Sequence, residues 1–183
     1  HLFFPTQDLY DLNSKYGSVE DLKQCVAALH EHGIKTLGDA VLNHRCAGLQ
    51  GPDGLWNQYT GKLDWDARAI VSDDPPFAGK ATRSSGDLFH AAPNIDHSQD
   101  FVKNDIIEWM RWLQREVGYD GWRLDYVRGF SGTHVKTYME STVRAFPTHH
   151  VPPTRLPILV PEGTVTSAHT RTRRDYYLCP YPD

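Results

Sequence analysis

Arg123 and Asp125 sit two residues apart in Gly121-Trp-Arg-Leu-Asp-Tyr-Val-Arg-Gly-Phe130, a run punctuated by Gly118 and Gly121. Read as a short buried strand from Gly121 to Val127, the run alternates its side chains between two faces. Arg123 and Asp125 then share one face, with Trp122 and Leu124 on the other. A guanidinium beside a carboxylate favours the charged carboxylate. That suits an anionic nucleophile or an electrostatic stabiliser at a strand end. A structural ion pair on a sheet rim would use the same two residues, so the spacing alone leaves both readings open. A second polar cluster, Asn43-His44-Arg45, closes the apolar run Ile34 to Leu42, and Arg128 lies just beyond the first pair. Asn43 offers a neutral oxygen and His44 a hydrogen-bonding imidazole, although a lone His at a strand end is also a common packed residue.

Oxygen donors of the Asn and Asp type, without paired thiolates, suit a hard cation such as calcium better than zinc. His44 and Cys46 with His90 or His97 could form a mixed zinc site. No compact Cys-x-x-Cys or His-x-x-x-His spacing supports it.

The elements that would position these residues follow from periodicity and capping signals. His1 to Gly17 reads as loop. Ser18 followed by Asp21 predicts a helix start, with Val19, Leu22, Cys25, Val26 and Leu29 at helical spacing and Gly33 as the stop. Ile34 to Leu42 reads as a strand. A second helix is expected over about 99–117, with Ser98 as its N-cap and Phe101, Ile106, Trp109, Met110, Leu113 and Val117 as its apolar stripe. A third, weaker helical stretch covers about 133–144. Helices alternating with strands argue for an α/β fold with parallel strands, and such folds gather functional groups at the C-terminal ends of strands.

Cys46 to His97 is irregular: about fifty residues is far beyond an ordinary connection. It carries Trp56, Tyr59, Trp65, Phe77 and Phe89 together with Asp53, Asp64, Asp66, Asp73, Asp74, Asp87 and Asp96. A metal-stapled subdomain and a solvated acidic loop both fit that composition. From Pro147 the chain holds seven of its twelve prolines and loses apolar periodicity, which predicts an extended or disordered tail.

With 183 residues, 39% hydrophobic content and a formal net charge of −4, the chain has material for one ordinary core. It shows no basic stripe for nucleic acid and no apolar run of the roughly 18 residues a membrane span needs. Three scattered cysteines do not make a disulfide framework. The first residue is not Met, and His1-Leu-Phe-Phe-Pro lacks a signal-peptide pattern; the chain reads as a fragment or a processed form.

Three motifs carry a family resemblance. Gly38-Asp-Ala-Val-Leu-Asn-His-Arg45 resembles the first signature region of the α-amylase family of glycoside hydrolases, and Gly121 to Phe130 its second. Ala92-Pro-Asn-Ile-Asp-His97 is similar to a further motif of that family. The wording from Ser84 through Phe101 is most similar to plant α-amylases of the plastid type. The resemblance covers about residues 5–142.

It implies a partial (β/α)8 barrel, with Ile34–Leu42 and Gly121–Val127 as the third and fourth strands. Residues 1–44 and 98–146 would be barrel parts, 45–97 an inserted domain B, and 147–183 a divergent tail. Asp125 would be the catalytic nucleophile and Arg123 the residue that orients it. His44 and Arg128 would bind substrate. Asn43, Asn94, Asp87 and the Gly129 carbonyl would hold calcium, with Asn94 standing where secreted plant members carry Asp.

The implied activity is retaining endo-hydrolysis of α-1,4-glucan, with starch and its oligosaccharides as partners, no nucleic acid and no membrane. The implied compartment is the plastid, with secretion as the alternative, and the state a monomer if folded. The family's acid/base Glu has no counterpart after Thr142, since Glu162 in Val160-Pro-Glu-Gly is preceded by a proline that would break a central strand. The expectation is therefore an inactive form. A non-catalytic glucan-binding module and a metal-dependent barrel hydrolase of another class remain the alternatives.

Overall fold

The structure is a computed structural model that describes residues 8–77 and 79–143, and the expectations for His1 to Gln7 and for the 147–183 tail lie outside those residues. The chain starts its regular structure with α1 (Val19–Glu31). Ser18 Oγ accepts from the Asp21 amide at 3.2 Å, and Asp21 Oδ2 accepts from the Ser18 amide at 2.8 Å. This reciprocal pair satisfies two donors the helix cannot. Gly33, at φ +72°, follows the helix as expected. Of the apolar stripe only Val26 is buried, and Cys25 is exposed.

Strands β1 (Leu37–Val41) and β4 (Gly121–Asp125) pair in parallel, with Asp39 opposite Arg123 and Val41 opposite Asp125. Gly38 is required here, because a Cβ would come within 2.7 Å of the Trp122 ring. β1 is shorter than the sequence suggests. Asp120 accepts from the Thr36 amide at 2.9 Å and from Lys35 Nζ at 2.6 Å, so a side chain takes the place of strand pairing there. Ile34 is left half exposed. β4 also stops early: Tyr126 adopts a left-handed conformation at φ +49°, and a 3-10 turn Val127–Gly129 follows.

Helix α2 (Asp100–Val117) buries Val102, Ile106, Trp109, Met110, Leu113 and Val117. Ser98 is not its cap; Gln99 holds that position, without a side-chain cap bond. The Ser98 hydroxyl pairs instead with Thr82 Oγ1 at 3.1 Å. Phe101 faces outward and Val102 inward, the reverse of the expected stripe at that turn. α3 (Gly132–Val143) packs on α2, and buried His97 reaches it through a 2.7 Å bond from its Nδ1 side to Tyr138 Oη.

Between β1 and α2 lie β2 (Leu49–Gln50), its antiparallel partner β3 (Trp56–Gln58) and a 3-10 turn Ala67–Ala69. This segment has its own buried residues, among them Tyr59, Leu63, Trp65 and Ile70, continuous with the packing of α2 and β4. Arg45 crosses it, donating to Leu63 O at 2.7 Å with its guanidinium 4.5 Å above the Tyr59 ring. Among the described residues the acidic side chains of this segment do not converge in a cluster of three. Asp53, Asp66, Asp73 and Asp96 each accept from backbone amides of their own segment and act as local caps.

Candidate active site

The parallel register sets Arg123 between two carboxylates. Its Nη1 lies 2.8 Å from both Asp39 oxygens, and its Nη2 lies 3.1 Å from Asp125 Oδ1. The arginine therefore holds Asp125 from one side while being held from the other. Asp39 has no assigned role in the sequence reading. Its signal was available, since it lies in the Gly38–Arg45 run and faces Arg123 once the two strands are paired.

His44, three residues beyond the end of β1, stacks on Phe89 at 3.9 Å with an interplanar angle of 16°, and Tyr126 meets it edge-on at 6.3 Å. Burial pushes its pKa down to about 4, against the opposing pull of the Asp125 charge. The ring is thus neutral near pH 7 and close enough to Asp125 to feel it. His44, Phe89, Val41 and Leu42 also wall a cavity of about 400 Å³. Arg128 is exposed, its guanidinium 4.9 Å from the Tyr126 ring and its Nε 3.6 Å from Asp87 Oδ2.

The expected calcium ligands divide into two pairs. Asn43 Oδ1 is buried and accepts no hydrogen bond. The backbone of Gly129 lies directly against it, where a Cβ would collide with that oxygen. The Gly129 carbonyl receives only a 3.5 Å bond from Ser84 Oγ. An orphaned amide oxygen facing a bare backbone fits a hard cation. Asn94 and Asp87 are not turned toward it. Asn94 Oδ1 accepts from Asn43 Nδ2 at 2.8 Å and from the Phe89 amide at 2.9 Å. The Asp87 carboxylate points to Arg128 instead.

The zinc grouping does not assemble. His44 stacks on Phe89, His97 on Phe130, and His90 pairs with Asp74. Cys46 is disulfide-bonded. Among the described residues no three His, Cys, Asp or Glu side chains converge as a metal site.

A family model for the α-amylase catalytic domain matches residues 3–54. The chloroplastic α-amylase 3 of Arabidopsis thaliana is 61% identical over 136 residues, covering 74% of this chain and 15% of that protein. A probable α-amylase 2 from the same plant is 42% identical over 134 residues, covering 73% of this chain and 32% of that protein. The chain thus spans less than a third of the length of either relative. Among solved structures, α-amylase I from Eisenia fetida shares the fold with a TM-score of 0.58 at 20% identity, covering 84% of this chain and 34% of its own. Motifs, strand pairing and these similarities agree, and the chain belongs to the α-amylase family of glycoside hydrolases.

Proposed function

We propose that this chain carries the nucleophile half of a retaining hydrolase of α-1,4-glucosidic bonds, acting on starch and its oligosaccharides. The observation that supports this reading is the clamp on Asp125: Arg123, fixed by both oxygens of Asp39, presents its Nη2 to the carboxylate at 3.1 Å beside a neutral His44. An ionised, oriented carboxylate at a strand end is what attack on an anomeric carbon requires. His44, neutral and rigidly stacked, hydrogen-bonds sugar hydroxyls without adding charge. Arg128 meets the leaving-group side. Asn43 Oδ1 and the Gly129 carbonyl would hold calcium, which would tie the β1 end to the turn after β4.

A retaining mechanism needs a second carboxylate about 5–5.5 Å from the first to protonate the leaving oxygen. Asp39 cannot serve, because both its oxygens are engaged by Arg123. On this reading the described residues support ester formation with a leaving group that needs no proton, and turnover of starch requires a second carboxylate beyond them.

The test is incubation with α-maltosyl fluoride. An Asp125 oxygen forms the ester bond to the anomeric carbon, the C–F bond breaks, and fluoride departs with the electron pair. Mass spectrometry should find one maltosyl group on Asp125, absent in Asp125→Asn, with no reducing ends released from soluble starch. A folded chain that binds glucan and is never labelled would instead be a binding module. The plastid is the compartment this reading favours, by likeness to the chloroplastic relative.

A further inference from the structure

Tyr126 follows Asp125 directly and takes a left-handed backbone, at φ +49° and ψ +44°. Among the described residues it is the only residue other than glycine with positive φ. Gly and Asn enter that region most readily, and a bulky side chain stays there only where its surroundings hold it. The Tyr126 side chain is held from several sides. Its Oη donates to Leu88 O at 3.1 Å. Its ring meets Phe89 edge-on at 5.3 Å, and the Arg128 guanidinium lies 4.9 Å from the ring centre. Phe89 in turn stacks on His44 at 3.9 Å, and Tyr126 also meets His44 edge-on at 6.3 Å.

The sheet register ends where the site begins, because Val41 and Asp125 are its last paired positions. Beyond them the chain leaves β1 toward His44 and leaves β4 through Tyr126. A backbone bond from the Asp87 amide to Arg128 O at 3.0 Å, and a bond from the Ser131 amide to Ser85 Oγ at 3.0 Å, tie the two segments further along. Tyr126 is the tie adjacent to the carboxylate. We propose that Tyr126 is a positioning residue: its side chain, anchored on Leu88 and Phe89, holds the left-handed turn and thereby sets Asp125 against the wall made by Phe89 and His44. The inference rests on the reading of Asp125 as the carboxylate that forms the sugar ester.

The experiment uses the full chain and two substitutions that separate the side-chain anchor from the backbone turn. Tyr126→Asn suits the left-handed backbone better than Tyr but is too short to keep the contacts with Phe89 and Leu88. Tyr126→Phe keeps the ring and suits the turn no better. A role of the turn alone would rank Tyr126→Asn above Tyr126→Phe, and the anchor ranks them the other way. With α-maltosyl fluoride over a range of concentrations, Tyr126→Asn should lower the limiting rate of ester formation on Asp125 about 10- to 100-fold, the usual cost of a small misplacement. Its half-saturating concentration should stay within about threefold, since the loss falls on the reacting step. Tyr126→Phe should stay within about threefold in both, losing only the hydroxyl bond. A second readout needs no sugar. Hydrogen exchange of the Asp87 amide should quicken about tenfold in Tyr126→Asn and stay within about threefold in Tyr126→Phe.

Equal limiting rates in the two variants, a loss confined to the half-saturating concentration, or unchanged Asp87 exchange in Tyr126→Asn overturns the proposal. Labelling of the unsubstituted chain at Asp125 in the same series would leave the hydrolase reading standing through any of these. If the unsubstituted chain is never labelled, the hydrolase reading falls and takes the effect on rate with it; the Asp87 exchange alone then decides whether the anchor stands. Far-ultraviolet circular dichroism checks folding. Should Tyr126→Asn fail to fold, Tyr126→Gly, equally suited to the turn, takes its place. Failure of both to fold beside a folded Tyr126→Phe overturns the positioning role, since the ring would then support the fold as a whole.

Discussion

At the scale of single residues, the site is a chain of constraints ending on Asp125. Asp39→Asn removes a charge and one strong acceptor from Arg123, so the guanidinium loses its fixed plane. The maltosyl ester on Asp125 should then form about 10- to 100-fold more slowly, the usual effect of a small misplacement of a reacting group. The stability change should be slight, since all three side chains are partly open to solvent and exposed pairs contribute little. A stopped-flow fluoride assay beside a thermal melt separates the two effects.

His44 gives the pH counterpart. Held at about 4, its imidazole is neutral from pH 8 down to about 5, so its contribution to glucan binding should be flat there and fall as pH approaches 4. Calorimetric titration of maltohexaose across that range, with His44→Asn as control, checks it. The sequence made Asp125, Arg123 and His44 legible because each stands in a motif. Asp39 stands in a motif as well, but its role emerges only once the two strands are paired, because its partner Arg123 is 84 residues away.

Elements matter here through where they end. β4 stops at Asp125 because Tyr126 turns left-handed, and the 3-10 turn that follows carries Arg128 as an exposed side chain. The sequence places both strands and all three helices correctly in order, and the α1 capping box is readable from Ser18 and Asp21 alone. It misplaces the α2 cap, because the Ser98 hydroxyl pairs with Thr82, a contact sixteen residues away that local periodicity does not encode, and it also misplaces the Phe101 face.

The α2–α3 pair also carries a buried titration. Burial, with the nearby His134 adding to it, pushes His97 down to about 3, whereas an unfolded histidine titrates near 6.5. Below pH 6.5 the unfolded chain therefore binds a proton the folded chain refuses. Stability is lost as pH falls through that window, by about 2 kcal/mol at pH 5. Asp96 adds a later loss. Its burial opposes ionisation, but bonds from Gln99, Ser98 and Thr82 hold it at about 2, so its contribution disappears only below the ordinary carboxylate range. Urea midpoints measured from pH 7 to 4 should fall steadily, and less steeply in His97→Gln. Tyr138→Phe strips His97 of its 2.7 Å partner and should cost about 1–3 kcal/mol at pH 7 in the same assay.

The whole molecule, as far as the described residues show it, rests its site on a sheet of only two strands. Two-stranded sheets need covering to persist, and here α1, α2 and α3 cover one side while both outer edges of the β1–β4 pair carry no strand partner among the described residues. Val41, 45% exposed at the tip of β1, and Ile34, 50% exposed just before it, add apolar surface on the β1 side of the sheet. Unpaired edges with apolar neighbours template association with another chain. The related amylases that match this fold are longer, with about two thirds of the Eisenia fetida enzyme lying outside the aligned part. The physical expectation for this chain alone is therefore concentration-dependent self-association. Multi-angle light scattering over a dilution series should show mass falling toward the monomer as concentration drops. Val41→Lys, a charge set at the exposed edge, should shift that curve toward monomer at any given concentration while leaving helical content unchanged. A chain that is monomeric throughout and melts in one sharp transition would mean that α1–α3 and the segment over β1 already complete a stable core, and the open edge would then have no physical consequence.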